Sequence, residues 1–355
     1  MKRTALIMAG GRGERFWPKS RTNLPKQFLS LTDDGKTMIQ LTVERILPII
    51  NMEDIYIATN EKYKALVQTQ LPLLPAENIL CEPVGRNTAP CIGLGAVYMQ
   101  KKYEDATMMV LPSDHLIKNE EMFIDTLIKA SDIACSGDNL VTLGITPNYP
   151  ETGYGYIKYN SSIPFKHGYR VEKFVEKPNL ELAQDYLSSG DYLWNSGMFI
   201  WNVSVILKQM KHFIPDTYEN LIQIQDSIGT SEETSTLKDC FSKCKSESID
   251  YAIMEHSPDI YTIPGNFGWD DAGSWLALER HKTSDSKQNI KTGNIITLDT
   301  TNCIIEGNNR LIATVGLDNL IIVDTDDSLL ICSKDKCNQI KELIGQISKI
   351  SPTLL

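Results

Sequence analysis

The chain has 355 residues, of which 42% are hydrophobic and 23% charged, and its formal net charge at pH 7 is −10. This length predicts about two domains, and the composition excludes collagen-like, disordered and disulfide-scaffold proteins. The acidic balance argues against binding along a nucleic acid, which depends on Lys and Arg neutralising many phosphates.

The first apolar run, at residues 5–9, follows Lys2 and Arg3 and is too short for the hydrophobic region of a signal peptide. We therefore interpret it as a first strand. No stretch reaches the roughly 20 apolar residues that span a bilayer, so we expect no membrane segment. The eight cysteines are scattered and form no C-x-x-C pair, which favours reduced thiols in a cytoplasmic protein.

The first 145 residues alternate between short apolar runs and segments of helical period. This order is typical of an α/β domain, in which helices cover both faces of a parallel sheet. The predicted strands are 4–9, 54–59, 78–81, 107–111 and 140–143. The predicted helices are 39–50, ending near Pro48, and 61–70, 88–102 and 121–134.

After Pro147 the pattern changes to isolated strands at 155–159, 169–175 and 193–200, mixed with helices at 180–187, 203–212 and 234–243. We interpret this stretch as the second half of the same domain. From residue 292, short Ile, Val and Leu runs recur about every eight to ten residues between Gly, Asn and Asp. They predict a small β-rich domain, either a meander or a β-solenoid, with a closing helix at 336–347. The expected domains are 1–282 and 290–355, joined by a polar linker at 283–289.

The loop after the first strand reads A-G-G-R-G-E-R-F-W-P at residues 9–18. Its glycines, Gly10, Gly11 and Gly13, follow the carboxyl end of a strand, where open α/β sheets bind ligands. Basic residues cluster in and after this loop: Arg12, Arg15, Lys19, Arg21 and Lys26. The pattern predicts an anion-binding loop, although a solvated basic surface has the same composition. Phe16 replaces the third glycine of a dinucleotide fingerprint, which disfavours an NAD-dependent oxidoreductase.

Residues 10–29, GGRGERFWPKSRTNLPKQFL, resemble the signature of the sugar nucleotidyltransferases, and the P-K-Q-F-L segment is similar to that of the mannose-1-phosphate guanylyltransferases. Further matching segments are CEPVGRNTAP (81–90), VLPSDH (110–115), TGYGYI (152–157), FVEKP (174–178), NSGMF (195–199), SIDYAIME (248–255) and GWDDAGSW (268–275). The resemblance implies a Rossmann-like nucleotide-diphospho-sugar transferase fold with a mixed central sheet.

The same resemblance implies that mannose 1-phosphate attacks the α-phosphorus of GTP, giving GDP-mannose and pyrophosphate. It implies that Arg15 clamps the triphosphate and that Lys26 holds the α-phosphate region. Asp114 follows an apolar strand and Asp271 lies in a Gly- and Trp-rich loop. Two such carboxylates suit Mg²⁺, which takes one or two protein carboxylates together with phosphate oxygens. Either residue could instead be a turn or N-cap residue, and Asp270 is a rival that the family's W-x-D-x-G pattern disfavours.

For the base and ribose, the resemblance points to Glu82 and Asn87. A carboxylate suits the N1–H and N2–H₂ edge of guanine, whereas Asn87 could simply cap the helix that begins at Thr88. For the sugar phosphate, the matching positions are Gly155, Glu176, Lys177, Asn195 and Asp250.

Two other interpretations remain open. The chain could perform the same chemistry on another sugar or nucleotide, or it could be a silent GDP-mannose-binding paralogue that regulates a partner. The joint presence of Arg15, Lys26, Asp114 and Asp271 counts against a silent paralogue.

We further expect a homodimer through the C-terminal domain. We expect no isomerase activity, since no histidine follows His281 to serve a metal-dependent isomerase domain.

Overall fold

A computed structural model of the protein describes residues 1–11 and 13–355, so Arg12 of the predicted anion-binding cluster lies outside the described residues. The strands are β1 (Arg3–Met8), β2 (Ile55–Asn60), β3 (Ile79–Glu82), β4 (Thr107–Pro112), β5 (Leu116–Ile117), β6 (Leu140–Ile145), β7 (Tyr156–Phe165), β8 (Gly168–Val175), β9 (Tyr192–Asn202), β10 (Ile260–Gly265), β11 (Trp269–Asp270), β12 (Ile290–Thr292), β13 (Ile295–Leu298), β14 (Ile304–Glu306), β15 (Ile312–Val315), β16 (Leu320–Asp324) and β17 (Leu329–Ser333).

The α-helices of the described chain are α1 (Met38–Ile46), α2 (Lys64–Gln70), α3 (Thr88–Tyr103), α4 (Glu120–Ala134), α5 (Leu180–Ser189), α6 (Val203–Phe213), α7 (Pro215–Ser227), α8 (Glu233–Lys243), α9 (Leu278–His281) and α10 (Ile340–Ile350). Among the described residues, no helix is both long and apolar enough to cross a bilayer. All eight cysteines are free thiols.

Two compact units divide the chain, and neither is continuous in sequence. Unit 1 comprises Met1–Gly10, Val43–Ser113 and Asn119–Trp269; unit 2 comprises Gly11–Thr42, Asp114–Lys118 and Asp270–Leu355. Gly11 and Gly13 of the signature therefore fold with the C-terminal residues, whereas Gly10 belongs to unit 1. The division into domains 1–282 and 290–355 stays a prediction.

Unit 1 contains a nine-stranded sheet in the order β3-β2-β1-β4-β9-β6-β10-β8-β7. Strands β3, β2, β1 and β4 run parallel, as the alternation of strands and helices predicts. Strand β9 is antiparallel to all three strands with which it pairs, β4, β6 and β7. The sheet is therefore mixed, which confirms the predicted fold class.

The sequence of β1 explains its central position. Ala5, Leu6 and Ile7 are consecutive apolar residues and all three are fully buried, as expected for a parallel strand covered on both faces. At the carboxyl ends of the parallel strands, β1 leads into Gly10 and β3 ends at Glu82. This edge is where open α/β sheets bind ligands.

Three helix boundaries have simple local causes. Helix α1 ends at Ile46, two residues before Pro48, because the residue before proline avoids the helical conformation. Helix α2 is shorter than predicted: the Asn60 side chain accepts a hydrogen bond from Lys62 N–H and caps a 3-10 turn at Glu61–Tyr63. Helix α3 begins as predicted after Asn87, with Pro90 in its first turn.

The longest elements missed from the sequence are α7 and β10, and the short elements β5, β11 and α9 were missed as well. Helix α7 is mostly polar and buries only a few side chains, among them Leu221 and Ile224, so its apolar periodicity is weak. Strand β10 carries Pro264 and pairs parallel with β6 and antiparallel with β8. A proline within a short run argues against a strand from sequence alone.

The C-terminal part of unit 2 is a β-solenoid rather than a meander. Strands β12, β14 and β16 pair in parallel, with Ile290, Ile304 and Ile321 in register and fully or almost fully buried. Strands β13 and β15 form a second parallel pair. A meander would require antiparallel neighbours joined by hairpins. Among the described strands β12 to β17, only β16 and β17 are antiparallel neighbours. The closing helix is present as a 3-10 turn at Lys334–Gln339 followed by α10.

The core of unit 2 includes side chains from its first and last segments. Phe16 and Trp17 belong to the same buried cluster as Trp275, Ile304 and Ile340. The indole Nε1–H of Trp17 donates to the carbonyl of Leu354 at 2.9 Å. The signature segment is therefore held by the residues that end the sequence.

Candidate active site

Gly13 is required by its surroundings in unit 2. Its φ of 59° lies in the left-handed region, and a Cβ at this position would lie 2.3 Å from Cβ of Lys26. A side chain at position 13 would therefore be both strained and in collision with Lys26. The glycine lets the 3-10 turn Glu14–Phe16 lie directly against the lysine backbone. Gly11, in contrast, faces open space.

Lys26 is only 5% exposed although its ammonium group is charged. Its Nζ forms an ion pair with Oδ2 of Asp114 at 2.7 Å. It also donates to the carbonyl oxygens of Asp271 at 2.6 Å and Ala272 at 3.0 Å. An ammonium group has three donors, so these three partners account for all of them. The lysine links three distant parts of the sequence at one point.

Asp114 contributes a carboxylate that is 34% exposed. Burial alone would raise the pKa of Asp114, but the positive charges of Lys26 and His115 and the hydrogen bond from Lys26 together lower it. The group is therefore held in its anionic form, which is the form that can bind a cation.

The two consecutive aspartates 270 and 271 have different surroundings. Asp270 is buried, accepts hydrogen bonds from Ala272 N–H and the Arg280 side chain, and lies 3.4 Å from His281 Nε2. Burial opposes its ionisation, but these partners lower the pKa of Asp270 overall. Asp271 lines the cavity described next and accepts a hydrogen bond from Gly273 N–H at 3.0 Å. Asp270 is thus engaged in structure, and Asp271 faces the site.

A cavity of about 430 Å³ in unit 2 brings together five of the predicted residues, Gly13, Arg15, Lys26, Asp114 and Asp271. We call it the phosphate cavity. Its other lining residues in the described chain are Glu14, Phe16, His115, Ala272, Gly273 and Lys341. Arg15 is exposed and its Nη1 donates to the carbonyl of Gly273 at 3.4 Å. The cavity thus combines cationic side chains with two carboxylates that the sequence assigned to a metal.

The donor set of the phosphate cavity fits Mg²⁺ bound together with a ligand. Asp114 and Asp271 offer hard carboxylate oxygens, and Mg²⁺ commonly takes one or two of these plus phosphate oxygens. Among residues 1–11 and 13–355 no group of three or more His, Cys, Asp or Glu could hold a metal. The residues present therefore suit a cation that arrives with a phosphate ligand better than one caged by protein alone.

In unit 1, Glu82 lies at the end of β3 and is 7% exposed. Burial raises the pKa of its carboxyl group to about 7. Its Oε1 has no hydrogen-bond partner among the described residues. Oε2 lies 3.6 Å from the point that a Cβ on Gly10 would occupy, so the glycine leaves room beside the carboxyl group. A buried acceptor without a donor carries a free-energy cost of about 1–3 kcal/mol.

Asn87 has the capping contact that the sequence offered as an alternative. Its Oδ1 accepts a hydrogen bond from Thr88 N–H at 2.8 Å, and its φ is 66°. Thr88 in turn accepts a hydrogen bond from Ile249 N–H at 2.8 Å. The start of α3 is therefore tied to the turn that carries Asp250.

The five residues predicted for the sugar phosphate lie in unit 1, and contacts connect them. A Cβ on Gly155 would lie 2.7 Å from Oε2 of Glu176 and 3.5 Å from Cβ of Asn195. Asn195 donates to Asp250 Oδ1 at 2.7 Å. Glu176 forms an ion pair with the exposed ammonium group of Lys177. We call these residues, Gly155, Glu176, Lys177, Asn195 and Asp250, the hydroxyl cluster.

Burial raises the pKa of Asp250, and the nearby charge of Glu176 acts in the same direction, while the hydrogen bond from Asn195 opposes it. In these contacts Lys177 is the only cation. The other polar side chains of the hydroxyl cluster, those of Glu176, Asn195 and Asp250, all carry oxygen acceptors. Such a surface suits alcohol groups, which donate hydrogen bonds.

Sequence reasoning missed Lys341 of α10, which lines the phosphate cavity. It also missed Glu306, a buried carboxylate that pairs with Lys19 of the signature segment and with Lys282 at 2.7 Å. Neither residue belongs to a recognisable motif. Glu306 could have been noticed as a charge after the apolar residues Ile304 and Ile305, whereas Lys341 is one of several charged residues in its segment.

Two family models match the chain. Residues 4–288 match the family model described as nucleotidyl transferase, and residues 293–347 match the model described as MannoseP isomerase/GMP-like beta-helix domain. A mannose-1-phosphate guanylyltransferase from Salmonella montevideo is 40% identical over 352 residues, which are 97% of this chain and 74% of that protein.

The xanthan biosynthesis protein XanB of Xanthomonas campestris pv. campestris is 40% identical over 345 residues, covering 96% of this chain and 72% of that protein. The crystal structure of a mannose-1-phosphate geranyltransferase from Thermus thermophilus has a TM-score of 0.87 and 33% identity, over 98% of this chain and 100% of that one. The chain belongs to the nucleotidyl transferase family of enzymes.

Proposed function

We propose that the protein catalyses the reaction of GTP with mannose 1-phosphate to give GDP-mannose and pyrophosphate. A phosphate oxygen of the sugar phosphate forms a bond to the α-phosphorus of GTP. The bond from that phosphorus to the bridging oxygen of the β-phosphate breaks, and its electron pair leaves with pyrophosphate. The nucleophile is already an anion, so the reaction needs neither a general base nor a covalent enzyme intermediate.

The observation that carries this proposal is the arrangement around Lys26. A buried ammonium group lies between Asp114 and the carbonyls of Asp271 and Ala272, in the wall of a cavity that Arg15 also lines. Preorganised cations stabilise the charge that develops on transferring phosphoryl groups. Lys26 supplies such a charge at a fixed position, and Gly13 keeps it there.

For the metal, we propose Asp114 and Asp271 as the protein ligands of Mg²⁺. When bound with the triphosphate, the ion would neutralise part of its negative charge. The role of Lys26 beside Asp114 is to keep that carboxylate ionised and oriented toward the cavity.

For the substrates, the proposal divides recognition between two sets of residues. Glu82 beside Gly10 offers unpaired acceptor capacity to the N1–H and N2–H₂ groups of guanine. Asn87 retains its capping role at the start of α3 and supports the same region. The hydroxyl cluster accepts hydrogen bonds from the sugar, and Lys177 neutralises the sugar phosphate.

The location and the oligomeric state are further parts of this proposal. Eight free cysteines suit a reducing compartment, and we propose the cytoplasm.

We also propose a homodimer through the C-terminal domain, supported by an apolar face on neighbouring strands β13 and β15. On it Ile296, Leu298 and Val315 are 61%, 59% and 67% exposed. Sedimentation equilibrium of the unmodified chain and of Leu298→Asp tests this: a monomer in both would contradict it.

The function is tested by measuring pyrophosphate release from purified protein with Mg²⁺, using GTP, ATP, UTP and dTTP in turn, each with and without mannose 1-phosphate. We expect release only with GTP and mannose 1-phosphate together. Release with another pair would keep the chemistry and change the substrate. If every mixture is silent while GDP-mannose still binds in calorimetry, the protein is a regulatory binding module and the proposal is wrong.

A further inference from the structure

Lys341 occupies an unexpected place for a residue near the end of the sequence. It is the second residue of α10 and is exposed, yet it lines the phosphate cavity with Arg15 and Lys26. The neighbouring Ile340 is 2% exposed and belongs to the same buried cluster as Phe16. The position of Lys341 at the cavity is therefore fixed by core packing beside it.

The charges that line the phosphate cavity show what Lys341 contributes. Among the described residues, the lining carboxylates are Glu14, Asp114 and Asp271, and the lining lysine and arginine side chains are Arg15, Lys26 and Lys341, with His115 beside Asp114. Lys341 is therefore one of the three lysine and arginine charges that offset these three carboxylates. Offsetting the negative charge of the lining favours the binding of a polyphosphate.

The donors of the three cations are not equally available. Lys26 uses its three donors on Asp114 and on the carbonyls of Asp271 and Ala272. Arg15 directs Nη1 to the Gly273 carbonyl. The side chain of Lys341 has no hydrogen bond or ion pair with any residue in 1–11 or 13–355. Of the two lysines, only Lys341 can donate to a ligand without losing a protein partner.

We infer that Lys341 binds the two phosphates that leave as pyrophosphate. Lys26 is buried in the cavity wall, whereas Lys341 and Arg15 are both exposed. Pyrophosphate must depart to solvent, so its binding groups belong at the exposed part of the cavity. The inference rests on the proposed function and extends it: the C-terminal helix supplies a substrate-binding side chain.

The test compares Lys341→Gln with Lys341→Arg and with the matched control Lys349→Gln. Lys349 is also an exposed lysine of α10, eight residues further along and so about 12 Å away along the helix axis. For each variant we would measure the KM for pyrophosphate in the reverse reaction with GDP-mannose. The KM values for GTP and mannose 1-phosphate would be measured in the forward direction.

For Lys341→Gln we expect the KM for pyrophosphate to rise about tenfold, which is the effect of about 1.4 kcal/mol. The KM for GTP should rise severalfold, and that for mannose 1-phosphate should change less than twofold. Lys341→Arg should recover most of the pyrophosphate affinity, and Lys349→Gln should match the unmodified protein. If Lys341→Gln equals Lys349→Gln in its KM for pyrophosphate, or if it raises all three KM values equally, the inference is wrong.

A binding measurement separates this inference from the proposed function. Calorimetric titration with inorganic pyrophosphate and Mg²⁺ needs no turnover, so it remains informative even if the protein uses other substrates. We expect about tenfold weaker binding to Lys341→Gln than to Lys349→Gln. No binding by the unmodified protein, or equal binding by both variants, would overturn the assignment of Lys341. Silence in the activity assays with intact pyrophosphate binding would overturn only the proposed reaction.

Discussion

The phosphate cavity of unit 2 and the hydroxyl cluster of unit 1 use opposite electrostatic designs. The cavity places cations beside its carboxylates. Burial alone would raise the pKa of Asp114, but the charge of Lys26 outweighs burial, and the pKa is lowered. In the hydroxyl cluster burial dominates instead, and the pKa of Asp250 is raised. The first arrangement suits an anionic ligand, and the second suits alcohol groups. Substitutions that remove charge should therefore act mainly on turnover in the cavity and mainly on sugar affinity in the cluster.

The largest effect is expected from Lys26→Met. Loss of the buried ammonium group removes charge stabilisation from the transition state, and we expect kcat to fall by about 10²–10³-fold. It also leaves two carbonyls and Asp114 without their donor, so the free energy of unfolding should fall by about 1–3 kcal/mol. Steady-state kinetics and urea denaturation measure the two effects. The control is Lys336→Met, at an exposed position of unit 2. Near-normal turnover in Lys26→Met would show that Lys26 takes no part in the mechanism.

The adjacent aspartates sharpen the comparison within the cavity. Asp271→Asn should lower kcat by about 10²-fold, with little change in Tm, since the side chain serves the ligand. Asp270→Asn should instead lower the free energy of unfolding by about 1–3 kcal/mol, because it weakens a buried group that holds Arg280 and His281. Kinetics and thermal denaturation of both variants check this. A reversed pattern would assign the site to Asp270.

A smaller and different effect is expected in the hydroxyl cluster. Asn195→Ala removes the amide that donates to Asp250 at 2.7 Å. We expect the KM for mannose 1-phosphate to rise about tenfold, while the KM for GTP changes less than twofold. Asn160→Ala on β7 provides a control on the same sheet. If both KM values rise together, the division between phosphate and hydroxyl recognition is not supported.

The smallest effect concerns the pH dependence that Glu82 introduces. Its pKa is raised from 4.5 to about 7 by burial, so between these values the folded state keeps a proton that the unfolded state has lost. Stability should therefore fall as the pH rises through this window, by up to about 3 kcal/mol. The carboxylate form becomes dominant above pH 7. If this form accepts the guanine hydrogen bonds, as proposed, kcat/KM for GTP should rise severalfold between pH 6 and pH 8.

Glu82→Gln distinguishes this residue from the titration of GTP itself. The glutamine cannot ionise, so both the loss of stability and the gain in kcat/KM with pH should become shallower. Urea denaturation at pH 5 and pH 8 and a kinetic pH profile measure them. Identical slopes in the variant and the unmodified protein would show that another group is responsible.

Much of the fold could be predicted because the relevant signals are local. The apolar runs of β1 and β4, the Asn87 cap and the regular isoleucines of the solenoid each identify their element from a few neighbouring residues. The mixed sheet came from the resemblance, since no local pattern reveals that β9 runs antiparallel to β4. Strand β10 was missed because Pro264 disguises a strand whose parallel partner, β6, lies more than a hundred residues away in sequence.

The residues of the cavity were predictable where they belong to motifs, and their roles remain predictions. Arg15, Lys26, Asp114 and Asp271 were chosen from three separate segments, and all four line one cavity. What the sequence could not reveal is the pairing that determines their behaviour. That all three donors of Lys26 are used within the protein depends on tertiary contacts. Lys341 lines the cavity because the neighbouring Ile340 packs in the core of unit 2. The sequence of the helix alone does not indicate which cavity its exposed side chains line.

The hydrogen bond between Trp17 and the Leu354 carbonyl has a consequence for the order of synthesis. Its partners are separated by 337 residues. At translation rates of about 5–20 residues per second, on the order of 20–70 s pass between the appearance of the two groups. Throughout that interval Phe16 and Trp17 lack the C-terminal side chains that bury them. The loop that carries Phe16 and Trp17 is thus made long before the residues that hold it in place.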